Sequence, residues 1–228
     1  MSSIVEDAPA DRLSGDLFAV IASEHFPCVG AKSALARGTL RTVVCRSMQS
    51  DREDFRIHAA LLEWVRSYRT QSAGLRSLAI IFQEPMRLSE REFEVAMWAR
   101  LQSIADEDHC RGQSYANGVS ADPENPEFAL SFGEEPFFVV GLHPNASRPA
   151  RRTPRPTLIF NLHDQFERLR REGLYERMRA RIIERDVSLA GNANPMLGRF
   201  GEASAARQYS GRAVGQDWHC PFRDPRTN

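Results

Sequence analysis

Residues 141–170 contain the densest group of side chains that could carry out chemistry. Each of two apolar runs there ends in a histidine: His143 follows PFFVVGL and His163 follows TLIFNL. A neutral imidazole is the commonest protein ligand for a transition metal. Both histidines are therefore candidate metal ligands, and a hydrogen-bonded structural role is the alternative for each.

The loop between these histidines is rich in arginine. It contains Arg148, Arg151, Arg152 and Arg155. A guanidinium is a planar fork that binds carboxylate or phosphate in a bidentate manner, so an arginine cluster beside a histidine predicts a site for an anionic cofactor. A solvated basic loop is the alternative interpretation.

A second candidate segment, SEHFPCVGAKSAL at 23–35, combines Cys28 with Lys32, the only lysine of the chain. Gly30 indicates a turn into a short helix, and a cysteine at a helix start can have a lowered pKa and act as a thiolate. A buried free thiol is the alternative. Cys220, in DWHCPF, has the same two interpretations.

A cationic substrate would require a carboxylate. Glu134 and Glu135 lie between two apolar runs and are the main candidates; Glu24 and Asp217 are further ones. A guanidinium group favours a bidentate carboxylate partner. We expect Glu134 and Glu135 to supply the catalytic carboxylates.

Five short apolar or β-branched runs predict the strands that would position these side chains. They cover residues 39–48, 76–83, 127–133, 136–143 and 157–162. Most are nearly continuous in apolar residues, which is typical of strands covered on both faces.

Three helical stretches separate or follow the strands. The first runs from Asp51 to about Arg69, and the second follows a capping box formed by Ser89 and Glu92. The third opens at or shortly after Asn161 and is interrupted at Gly173 before a second helical part, LYERMRARIIERD.

Beyond Val187 the periodicity fades, yet Phe200, Tyr209, Trp218 and Phe222 remain. An irregular segment that keeps large aromatic residues is expected to pack against the rest of the domain as a cover and not to be disordered.

The predicted fold class is α+β (or α/β), with a central sheet of about five strands flanked by helices. We expect one domain at 15–222, a mobile N-terminal tail at 1–14 and a loose C-terminal end at 223–228.

The composition excludes several classes of protein. The 228 residues carry 30 basic and 30 acidic side chains, a net charge of zero, which argues against a nucleic-acid binder. No apolar run approaches the ~18 residues of a membrane helix, and no signal core opens the chain, so we expect a cytoplasmic protein. The four cysteines form no CxxC pair and are expected to be free thiols.

Four blocks of sequence together resemble the YqcI/YcgG family of bacterial proteins. They are FPCVGAKSAL at 26–35, GLHPNASRPARR at 141–152, PTLIFNLHDQFERLR at 156–170 and GRAVGQDWHCPF at 211–222. Characterised relatives are haem-dependent N-hydroxylases of guanidine-containing metabolites, including the one in guanitoxin biosynthesis. The resemblance therefore implies haem b, dioxygen as co-substrate, and hydroxylation of a nitrogen in free arginine or a related guanidine or amine.

If the chain binds haem b as the resemblance implies, it must supply an axial ligand for the iron and cations for the haem propionates. We expect His143 to be the ligand in preference to His163 because His143 adjoins the arginine loop. A cysteine remains an alternative, and antiparallel neighbouring strands would put the two histidines at opposite ends of the sheet. The expected cofactor-binding residues are Arg148, Arg151, Arg152, Cys28 and Lys32.

The chain contains no recognisable flavin or nicotinamide motif, so a separate reductase is expected to supply electrons. No nucleic-acid or membrane partner is expected, and the oligomeric state, a homodimer included, stays open. Two other functions remain: a haem-binding sensor or carrier without turnover, and a non-haem module that binds an anion such as a phosphorylated ligand or RNA.

Overall fold

A mixed five-stranded sheet forms the centre of the protein. The computed structural model describes residues 10–71, 74–198 and 200–227. The sheet has the order β1-β2-β5-β4-β3, in which β1 and β2 are parallel and all other neighbours are antiparallel. The strands are β1 (Leu40–Ser47), β2 (Ser77–Glu84), β3 (Leu130–Phe132), β4 (Glu135–Leu142) and β5 (Thr157–Leu162).

Helices cover both faces of this sheet. The described residues form a short 3-10 turn at Pro149–Arg151 and seven α-helices. The helices are α1 (Ala10–Ala22), α2 (Val29–Ala36), α3 (Asp54–Thr70), α4 (Glu90–Cys110), α5 (His163–Arg171), α6 (Tyr175–Ala190) and α7 (Ala206–Tyr209).

Side chains of the central strand β2 alternate between two apolar clusters. Ile80 and Phe82 join the cluster that includes residues of α3 and α4, whereas Ala79 and Ile81 join the cluster with α1 and α2. Successive residues of a strand point to opposite faces, and both faces are covered here. This is why the sequence of β2 is a continuous apolar run.

The two faces of β4 are filled to different extents. Phe137 and Val139 are fully buried on the α4 side, while Phe138 and Val140 on the opposite side are half-buried. On the filled side, a Cβ added at Gly141 would lie 2.7 Å from the Phe93 ring. Only glycine therefore allows α4 to pack this closely, and the free space lies on the other face.

The predicted α+β fold, with one domain and a five-stranded sheet, is confirmed. The predicted strand at 127–133 is shorter in the structure, because Phe128 instead forms an isolated bridge with Ser120. The capping box of Ser89 and Glu92 is present, and Gly173 interrupts the helical region with a left-handed φ of 68°.

The described parts of the two predicted chain ends, residues 10–14 and 223–227, are packed against the domain. The helix α1 begins at Ala10, within the predicted mobile tail, because Leu13, Leu17 and Ile21 form a buried stripe at helical spacing. Residues 1–9 of that tail lie outside the described residues. The predicted loose end is also corrected, since Arg226 Nη1 donates to the buried Asp108 Oδ2 at 3.0 Å.

The C-terminal segment is packed down, as its aromatic residues suggested. Tyr209 and Phe222 are fully buried and lie against Trp98 of α4. These two rings therefore extend the core on the α4 side of the sheet. Among the described helices, none combines the length and apolar character needed to span a membrane.

Candidate functional site

A cavity of about 320 Å³ lies on the less filled face of the sheet. Its volume falls at the lower end of the ~300–1,000 Å³ typical of ligand sites. The sheet contributes Phe138, Val140 and Ile159 to its wall, and α6 contributes Met178 and Ile182. The surface of this cavity is therefore largely apolar, with polar groups at a few points.

Strand alternation decides which histidine faces this cavity. Ile159 and Asn161 of β5 line the cavity, and His163, two residues further on, lines it as well. His143 instead follows the odd-numbered residues of β4, which face α4. The two histidines thus lie on different faces of the sheet.

The imidazole of His163 has a buried nitrogen without a partner. Its Nε2 donates to and accepts from no group among the described residues. The nearest carboxylate oxygen, Glu167 Oε1, is 3.8 Å away, which is too long for a hydrogen bond. The Phe200 ring lies 4.4 Å from the imidazole, centroid to centroid. Burial lowers the pKa of His163, so the ring is neutral at pH 7.

Arg76 lines the same cavity and has a second buried nitrogen without a partner. Its buried Nε makes no hydrogen bond within the described part of the chain. Its backbone is fixed by Gln165, whose side chain accepts from Arg76 N at 2.9 Å and donates to Arg76 O at 3.1 Å. A buried polar group without a partner costs about 1–3 kcal/mol, and folded proteins contain few of them. The described residues contain eight such atoms, one of them His143 Nδ1, and the two at this cavity are placed where a bound ligand would supply their partners.

Arg148 lines the cavity, but its guanidinium is held by other residues. Its Nε donates to Asp186 Oδ1 at 3.1 Å and Oδ2 at 2.9 Å, and its Nη2 also donates to Oδ2. Its Nη1 donates to Asn192 Oδ1 at 3.1 Å. Asp186 is the one acidic residue among the described residues that line the cavity. The pair joins the loop after β4 to α6.

Arg151 also lines the cavity, and its guanidinium donates to backbone carbonyls. These are Gly141 O at 3.0 Å, Tyr209 O at 3.2 Å and Gln208 O at 3.0 Å. Burial lowers the pKa of Arg151 to about 10, so it remains a cation at pH 7. Arg151 therefore places a buried positive charge beside the apolar walls.

Of the remaining predicted cofactor-binding residues, Cys28 lines the cavity, whereas Lys32 and Arg152 do not. Cys28 lines the cavity and caps α2 by accepting from Ala31 N; burial raises the pKa of its thiol, which is therefore protonated at pH 7. Lys32 instead donates to the backbone at the end of α1. Arg152 donates to Ala146 O at 2.7 Å and does not line the cavity.

His143 lies outside the cavity, at the far end of β4. The antiparallel register pairs Leu142 with Thr157, whereas β5 ends at Leu162 opposite Phe137. Each histidine lies one residue beyond these pairs, so the two lie at opposite ends of the sheet, roughly 23 Å apart along the strands. The His143 ring is 1% exposed and stacks on Phe93 at a centroid distance of 4.3 Å. Burial lowers the pKa of His143 to about 4.

The two predicted catalytic carboxylates also lie outside the cavity. Glu134 is exposed in the tight turn between β3 and β4, where its φ is 65°. Glu135 accepts from Arg69 Nε at 2.8 Å. The structure brings neither residue to His163.

A second, smaller cavity of about 190 Å³ adjoins the first. Arg148 and Asn194 line both cavities. The walls of the small cavity are more polar and also include Ser147 and Asn192.

Comparison with known proteins identifies the relatives of the chain. The model of the YqcI/YcgG family matches residues 17–223. The chain belongs to this family. It is similar to the uncharacterized protein YcgG of Bacillus subtilis (strain 168), with 23% identity over 186 residues that cover 78% of the chain and 72% of YcgG. It is also similar to the uncharacterized protein YqcI of the same organism, with 25% identity over 207 residues, 86% of the chain and 80% of YqcI. No solved structure matches the chain.

The protein donors around the cavity restrict the kind of metal it could hold. In residues 10–71, 74–198 and 200–227, no three His, Cys, Asp or Glu side chains are grouped as metal ligands. A structural zinc site needs four protein ligands, so the described donors do not provide one. A single histidine is sufficient only for a metal that brings its other ligands with it, as haem iron does.

Sequence reasoning missed the contributions of Arg76, Gln165 and Asp186. Arg76 was visible only as the residue at the start of an apolar run. Its position beside the end of β5 depends on the contact between β2 and β5, shown by the 2.7 Å hydrogen bond from Ser77 Oγ to Asn161 Oδ1. No local pattern carries that information.

Proposed function

We propose that the large cavity binds haem b with His163 as the axial ligand, and that the protein is a haem-dependent mono-oxygenase that N-hydroxylates a small guanidine. The observation that carries this proposal is the buried, unpartnered Nε2 of a neutral imidazole in a mostly apolar cavity. In the tautomer protonated at Nδ1, Nε2 has a free lone pair. The guanidine substrate, free arginine or a relative, follows from the family resemblance.

The residues around the cavity fit an apolar cofactor that carries carboxylates. Arg76 and Arg179 line the cavity, and the Nε of Arg76 is available to an acceptor. A charge-assisted hydrogen bond to a carboxylate would satisfy this nitrogen. We therefore assign the contacts with the haem propionates to Arg76 and Arg179. Arg148 and Arg151 add positive charge nearby.

The protein side of the mechanism is binding, orientation and exclusion of water. Haem, when bound, supplies the activation of dioxygen that insertion of oxygen into an N–H bond requires. Phe138, Val140 and Ile159 keep the reacting region apolar, and α6 closes it from the opposite side. His163 remains neutral because it is buried. Electrons would come from a separate reductase, and we place this chemistry in the cytoplasm.

A haem-binding sensor or carrier is the second candidate, and one observation favours it. Asp186, the one carboxylate among the described lining residues, is bound to Arg148 and is not free to hold a substrate guanidinium. Formation of a hydroxyguanidine from arginine, with a reductase and dioxygen present, would distinguish the enzyme from the carrier.

Reconstitution with haem tests the proposal. Purified protein titrated with haem should develop a Soret band at one equivalent, and His143→Phe should leave that band unchanged because His143 faces α4. Absence of a Soret band in the wild type would reject the haem proposal. A band altered by His143→Phe would return the ligand assignment to His143.

A further inference from the structure

The inner face of α6 is directed toward the large cavity along the whole length of the helix. The residues of α6 that line the cavity recur at intervals of three and four, which places them on one face. They are Tyr175, Met178, Arg179, Ile182, Ile183 and Asp186. The apolar stripe of α6 therefore faces the space of the cavity.

The apolar residues of α6 add little to the core. Neither apolar cluster includes a residue of α6 in the part of the chain that the structure describes. Met178, Ile182 and Ile183 are half-buried, whereas Leu101 and Ile104 of α4 are fully buried. Because most of the stability of a helix in a protein comes from packing of its apolar face, local opening of α6 should cost less free energy than opening of α4.

Polar contacts near the C-terminal end of α6 hold the helix over the cavity. Asp186 accepts from Nε and Nη2 of Arg148, which lies in the loop after β4. The side chains of this pair are only 6% and 10% exposed. Arg185 Nη2 donates to Phe26 O at 3.2 Å and also to Glu24 O. Hydrogen bonds of this kind require a fixed geometry, so they are lost when the helix moves away.

The chain can turn at both ends of α6. Gly173 precedes the helix with a φ of 68°, and Gly191 follows it with a φ of 76°. A Cβ added at either glycine would meet no atom within 4 Å. Hinge motions are absorbed by a few residues at the ends of such elements. The positions of these glycines therefore allow α6 to move while the sheet stays in place.

We propose that α6 is a lid on the large cavity and that the ion pair between Arg148 and Asp186 is its latch. The helix turns about Gly173 and Gly191 to admit a ligand and then closes over it. A ligand that fills the cavity supplies the apolar partner that the inner face of α6 lacks, so it stabilises the closed position. The lid requires only the cavity, whereas entry of haem through it rests on the proposed function.

Hydrogen exchange of the haem-free, full-length protein, followed by mass spectrometry, tests the lid. Amides of α6 should exchange at least about tenfold faster than amides of β2 and α4. Asp186→Asn removes the charge that binds Arg148 and should speed exchange in α6 by at least about a further tenfold, with β2 and α4 unchanged. Glu184→Gln is the matched control, because it removes only an exposed ion pair with Arg181 on the same helix. It should change exchange in α6 by less than about threefold.

Two results would overturn the lid. One is exchange in wild-type α6 that is as slow as exchange in β2. The other is a variant that speeds exchange in β2 and α4 as much as in α6. Arg185→Gln provides the test if Asp186→Asn fails to fold, because it removes the hydrogen bonds to Glu24 O and Phe26 O and should also speed exchange in α6 alone.

Stopped-flow titration with haem separates the lid from the proposed function. Uptake follows the population of the open form, so Asp186→Asn should take up haem at least about tenfold faster than the wild type, and Glu184→Gln at the wild-type rate. Equal rates in the wild type and Asp186→Asn would overturn entry through the lid. Rapid exchange confined to α6 in a protein that takes up no haem would retain the lid and reject the haem proposal. Haem uptake without that exchange pattern would do the reverse.

Discussion

Lowering the pH from 7.5 to 5 should destabilise the folded protein, and His143 should account for a defined part of that loss. The ring is buried against Phe93. Burial is the main cause that lowers the pKa of His143 from 6.5 to about 4; Arg151 lowers it further and Glu90 partly opposes the shift. The folded protein therefore keeps His143 neutral in a range where the unfolded chain is protonated.

The sign and size follow from linkage. When the pKa of a histidine is lower in the folded state, the unfolded state binds more protons below pH 6.5, so stability falls as the pH falls toward 4. Each pH unit below 6.5 removes up to about 1.4 kcal/mol. His143 should therefore cost about 2 kcal/mol of unfolding free energy at pH 5, and almost nothing at pH 7.5.

Urea denaturation of the wild type and His143→Phe, followed by circular dichroism at both pH values, measures this share. Phenylalanine keeps an aromatic ring beside Phe93 and cannot take up a proton. The wild type should lose about 2 kcal/mol more than the variant between pH 7.5 and pH 5. His25→Gln, at an exposed position, should behave like the wild type. Equal losses in the wild type and His143→Phe would refute the buried, neutral state of His143.

Three further substitutions test the packing and the placement of the site. Gly141→Ala should lower the unfolding free energy by roughly 1–3 kcal/mol in urea denaturation, because its Cβ would meet the Phe93 ring at 2.7 Å; Gly15→Ala, with open space in α1, should be neutral or stabilising. Ser89→Ala should cost about 1 kcal/mol in the same assay through loss of the capping box. Glu135→Gln should change stability by less than about 1 kcal/mol and leave haem uptake and turnover unchanged, since its partner is a half-exposed arginine.

The strands could be predicted from the sequence because their signal is local. The apolar run 157–162 coincides with β5, and the run 76–83 differs from β2 by one residue at each end. The order of strands could not be predicted in this way. β5 lies between β2 and β4, and this placement depends on contacts between residues far apart in the chain.

Local sequence also could not show whether His143 or His163 faces the cavity. His143 was favoured because it adjoins the arginine loop. Alternation along β4 and β5 instead directs His143 toward α4 and His163 toward the cavity. The sequence contains the alternation itself, but it does not indicate which face of the sheet is left unfilled.

The helix α1 was missed for a related reason. Its stripe of Leu13, Leu17 and Ile21 has helical spacing, but polar residues around it resemble a solvated tail. Packing against the sheet stabilises the helix, and its contact includes a hydrogen bond of 2.9 Å between Ser14 and Thr42 of β1. Such stabilisation by tertiary contacts is what local propensity does not report.

The most direct test of the central claim is chemical rescue at His163. Wild type, His163→Gly, and His163→Gly with free imidazole are each titrated with haem and followed by absorption spectroscopy. We expect a Soret band in the wild type, loss or displacement of that band in His163→Gly, and its restoration by imidazole. An unchanged Soret band in His163→Gly without imidazole would contradict the assignment of His163 as the axial ligand.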